Sequence, residues 1–70
     1  MAPDMEAVSN METEAVECRR LAAKFKRKAE CARLSASRAF FSGLERRYLL
    51  LAQIFEKEAE GLRAKQGSQI

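Results

Sequence analysis

The sequence predicts an all-α protein, a two-helix antiparallel hairpin that dimerises into a four-helix bundle. Three observations carry that expectation. The 70 residues are rich in Ala, Leu, Glu, Lys and Arg and hold three Gly and one Pro, a composition that loses little side-chain freedom in a helix. Apolar residues recur in alternating steps of four and three along two separate stretches, the spacing of one helix face. A chain this short sits near the lower limit for a self-sufficient core. With two cysteines and no histidine it is poorly supplied for stapling by disulfides or by a four-ligand zinc site, which leaves association as the remedy.

In chain order, residues 1–8 read as a flexible acidic N-terminus. The first helix is expected over about 9–38, because Ser9-Asn10-Met11-Glu12 has the form of a capping box; Asp4 is a rival cap upstream. Its apolar seam is Met11, Ala15, Cys18, Ala22, Phe25, Ala29, Ala32 and Ala36, a coiled-coil-like heptad pattern. Most of the seam is small, which lets a second helix approach closely. A turn is expected over about 39–42, where Ser42-Gly43-Leu44-Glu45 forms a second capping box. No proline enforces that turn, so one continuous helix over about 9–66 is the alternative. The second helix is expected over about 43–66, with Gly67 as its stop signal and 67–70 as a C-terminal tail. Arg33 and Arg38 near the end of the first helix, and Arg63 and Lys65 near the end of the second, suit helix C-termini.

The second helix puts Leu44, Tyr48, Leu51, Ala52, Phe55, Ala59 and Leu62 on one face. Leu50 and Ile54 extend the stripe on one flank and Leu49 on the other. A lone hairpin needs one buried stripe per helix, so the added apolar strip points to another copy. The residues expected in packing and self-association are Cys18, Ala22, Phe25, Ala29, Leu44, Tyr48, Leu50, Leu51, Ile54, Phe55 and Leu62.

Charge is distributed unevenly. Residues 1–17 carry five acids and no base, 18–47 carry ten bases and two acids, and 48–70 balance at three and three. Two first helices can therefore pair antiparallel about Arg20, with Met11 opposite Ala29, Ala15 opposite Phe25, and Cys18 opposite Ala22. Glu12 and Glu14 then lie near Lys26 and Lys28 of the other copy, a charge match that selects orientation.

Chemistry-bearing candidates are few. Cys18 and Cys31 are thirteen residues apart, which on a helix is about 220° in phase and about 20 Å along the axis. Bridged Cα atoms sit at about 4.4–6.8 Å, so one straight helix cannot join these two; they read as packing residues. The run "RRLAAKFKRK" has six bases in ten residues, namely Arg19, Arg20, Lys24, Lys26, Arg27 and Lys28. It reads as a solvated face that suits an acidic protein partner; nucleic-acid backbone binding, weakened steeply by salt, is the alternative. Glu56, Glu58 and Glu60 of "EKEAE" read as solvated surface. With no His and no Gly-rich phosphate loop, neither enzymatic activity nor a metal or cofactor is expected. No apolar run approaches the ~20 residues of a membrane span, and the N-terminus lacks signal-peptide character. The expectation is a cytoplasmic protein with reduced thiols and no membrane partner.

"ECRRLA" (Glu17–Ala22) with "LLLAQIFEKEAE" (Leu49–Glu60) resembles the small uncharacterised helical-hairpin proteins of alphaproteobacteria. That resemblance covers about two-thirds of the chain and implies a hairpin, with no activity to carry over. The chain departs from that pattern in lacking an Asp-Pro turn and in its longer first helix. The second copy of the motif, "ECARLS" (Glu30–Ser35), lies nearer the usual distance from the second helix, which makes the extra thirteen residues an extension or partial duplication.

Overall fold

The computed structural model describes residues 3–68, with side chains described for 6–65. Two helices, α1 (Pro3–Cys31) and α2 (Ser35–Ser68), fold back on each other. The described residues contain no strand. The hairpin is a rod of 56 × 14 × 11 Å.

Several expected boundaries are corrected. α1 starts at Pro3, so 3–8 are helical and not a flexible lead. Proline is favoured at a first helical position, where its missing N–H costs nothing. Val8 is buried and stands one heptad before Ala15, extending the seam beyond Ser9. Ser9 is no cap: its carbonyl accepts from the Thr13 hydroxyl at 2.9 Å, inside the helix.

The break falls at 32–34 and not at 39–42, which also excludes the continuous helix. Ser42 and Gly43 are interior to α2, so the second capping box is overturned as a helix start. The Ala32 N–H bonds the Ala29 carbonyl at 3.3 Å, tightening the end of α1, and the Leu34 carbonyl accepts the Arg38 N–H at 3.0 Å to open α2. The Arg38 guanidinium then reaches back to the Ala32 and Arg33 carbonyls at 3.3 and 3.5 Å. Arg38 thus satisfies carbonyls of the turn just past α1; it belongs to α2 and Arg33 to the turn, so neither closes the first helix as expected. At the other end α2 continues past Gly67 to Ser68; 69–70 lie outside the described residues.

The helix contact is made of small residues. Among the described residues, the buried apolar set is Val8, Ala15, Cys18, Ala22 and Ala29 from α1 and Ala52 and Ala59 from α2, with Ala52 at 0 % exposure. The expected seam therefore holds through Ala29. Ala32 instead lies in the turn, and Ala36 is exposed on α2. Pairing of two first helices through this seam is overturned, because the chain's own α2 already covers it.

Candidate functional site

Two cross-helix ion pairs fix the register of the hairpin. Arg19 donates to both carboxylate oxygens of Glu56, Nε to Oε2 at 2.9 Å and Nη2 to Oε1 at 2.7 Å. Arg63 pairs with Glu12 one stage further from the turn. The bidentate bond holds the Glu56 carboxyl below the usual carboxylate range and raises the Arg19 guanidinium. Both pairs are about half exposed, so they contribute more to alignment than to stability.

The opposite side of the contact is aromatic. Phe25 stacks with Tyr48 at 5.7 Å between ring centroids and with Phe41 at 6.1 Å, while Phe40 meets Phe41 edge-on at 5.5 Å. The Lys28 ammonium sits 5.7 Å from the Phe41 ring centre, a cation–π contact. Helical phase, at about 100° per residue, extends this side: Leu21 of α1 and Leu44, Leu51, Phe55 and Leu62 of α2 fall beside Phe25 and Tyr48. The hairpin thus has an ion-paired side and an apolar side.

Of these large residues Phe40 is 64 % exposed; the others are half-buried, and none is fully covered. The sequence-predicted packing set therefore divides. Cys18, Ala22 and Ala29 form the buried contact, while Phe25, Leu44, Tyr48, Leu51, Phe55 and Leu62 line the apolar side. Leu50 and Ile54 stand two residues either side of Ala52, about 200° away in each direction, and are 59 % and 54 % exposed on the outer back of α2. Leu49 is half-buried on the ion-paired side. Sequence reasoning missed Val8, Leu21 and Phe41; Leu21 and Phe41 each share a helix face with a residue already singled out, and that spacing was the available signal.

The basic run does not gather on one face. Arg19 is tied to Glu56, and Arg20 to Glu17 at 3.3 Å. Lys26 falls on the ion-paired side, Lys28 covers Phe41, and Lys24 and Arg27 are exposed on the outer surface of α1. At the turn a shallow cleft of about 440 Å³ is lined by Lys28, Cys31, Ala32, Arg33, Leu34, Ser37 and Phe41, with Leu34 70 % exposed at its lip. Cys18 and Cys31 are free thiols, the first buried and the second exposed at the end of α1. Among the described residues no group of three or more His, Cys, Asp or Glu could hold a metal ion, and no helix is long and apolar enough to cross a membrane. Compared with family models, curated proteins and solved structures, the chain matches none.

Proposed function

We propose that this protein is a non-enzymatic helical interaction module that works by self-association, with two hairpins forming a coiled-coil-like four-helix bundle. One observation supports the reading above the rest: among the described residues the helices meet through Ala, Cys and Val, and no large side chain is fully buried. Aromatic and leucine side chains are the main source of burial energy in small domains. Here they stand in a row along one side of the rod, each still partly exposed. A second apolar side would cover them, the usual remedy for a chain that cannot close its own core.

The reading extends to the setting. Free thiols too far apart to bridge fit a reducing, cytoplasmic environment, and the hairpin form fits the alphaproteobacterial proteins that the "ECRRLA" and "LLLAQIFEKEAE" segments resemble. Sedimentation equilibrium from micromolar to millimolar chain concentration tests the association. The expected result is a mass of two chains that dissociates on dilution. A folded species of 7.9 kDa persisting to millimolar concentration refutes it. Nucleic-acid binding through the exposed Lys24 and Arg27 is the competing reading. Titration of duplex DNA and RNA across a salt series separates the two, since backbone binding weakens steeply with salt.

A further inference from the structure

Two hairpins laid apolar side to apolar side can obey a two-fold axis in two ways. An axis along the rods stacks α1 on α2 of the other copy. An axis across the rods stacks α1 on α1 and α2 on α2, each pair antiparallel. We infer that this protein pairs in the second way, about a two-fold passing between Leu21 of α1 and the level of Gln53 in α2, and that charge at the rim of the apolar side selects it. This inference rests on the self-association proposed above.

The spacing of rim residues carries it. By helical phase, Glu14, Glu17 and Lys28 fall on the α1 edge of the apolar side around Leu21, and all three charged residues are exposed. Turning a second copy about Leu21 sets Leu21 against Leu21 and Glu14 against Lys28. On α2 the same rotation sets Leu44 against Leu62 and Leu51 against Phe55, with Arg47 within one residue of Glu58. Each helix is thus matched to itself reversed, acid to base and large to large.

One axis must serve both helices, and it does. The Arg19–Glu56 and Glu12–Arg63 pairs each join residues whose numbers sum to 75, which puts Leu21 level with Ile54. The α2 centre lies one residue away, about 1.5 Å along the helix. The rival axis fails on the same rim. It lays Glu17 on Glu58 and Lys28 on Arg47, two like-charge contacts repeated by symmetry.

Charge reversal at exposed positions tests this with little risk to the fold. E14K and K28E are made as separate proteins and each is checked for helicity by circular dichroism. Each alone should dissociate about tenfold more readily than the parent, because its two cross-copy contacts become repulsive. An equimolar mixture should form a 1:1 pair of near-parental affinity, since each reversed edge then meets its complement. A mixture no tighter than the separate proteins overturns the inference. A second measurement uses L21C in a C18A/C31S background: oxidation should link Leu21 positions between copies, whereas linkage only after mixing L21C with F55C identifies the rival axis and overturns the arrangement. A parent that stays monomeric overturns the self-association itself. A dimer with the rival linkage leaves that association standing and removes only this geometry.

Discussion

Ala52 is the position at which the hairpin has least room. It is fully covered at 0 % exposure, and the cross-helix pairs Arg19–Glu56 and Glu12–Arg63 place it within a residue of the level of Ala22, which is also buried. Ala52→Leu adds three carbons where alanine faces alanine. The helices must separate or the new side chain must leave its rotamer, at a cost of about 1–3 kcal/mol. For a domain of about this size each kcal/mol lowers the melting temperature by about 4–8 °C, so the expected fall is about 4–24 °C. Thermal unfolding followed by circular dichroism at fixed chain concentration reads it, with Ile54→Leu on the outer back as a volume-conserving control. A melting temperature for Ala52→Leu equal to or above that of the parent would refute the close contact.

Phe55 is only partly covered within one hairpin. On the proposed pairing, Phe55→Ala should cost ~3–5 kcal/mol per copy where pairs form and less at concentrations where they do not, read from melts across a dilution series. Gly43→Ala places a methyl group where nothing lies within 4 Å, so it should stabilise the hairpin by about 0.5–1 kcal/mol without changing its mass in solution. The lowered Glu56 carboxyl contributes stability that is present above the unfolded carboxyl pKa and lost as pH falls through the folded value. Below about pH 4 the parent should therefore lose stability more steeply than Glu56→Gln, and parallel acid profiles would contradict the pair.

The faces were legible in the sequence and the turn was not, for a physical reason. The capping box at Ser42 is a local signal of about 1 kcal/mol, and it competes with tertiary contacts that place Phe41 on Phe25. Those contacts need α2 to begin before Phe41, and they prevail. The start of the turn moved by seven residues, one heptad, which leaves each helix presenting the same stripe inward. Seam residues such as Ala22 and Ala59 were therefore placed correctly even though the helix ends were not. Cross-helix partners depend on the turn itself, so the Arg19–Glu56 pair could not be read before its position was known. The division into an ion-paired and an apolar side followed only once those partners had fixed which flanks meet.

The spread of contact separations along the rod also orders the way the chain closes. Phe25 and Phe41 are 16 residues apart in sequence, whereas Arg19–Glu56 and Arg63–Glu12 join residues 37 and 51 apart. Loop-closure entropy rises with separation and falls once a nearer contact is in place. The aromatic cluster beside the turn is therefore the cheapest place to start, and each later contact zips the helices outward toward the free ends. Glu12 and Arg63 join last and open first, so amide exchange should run fastest at the ends and slowest around Phe25.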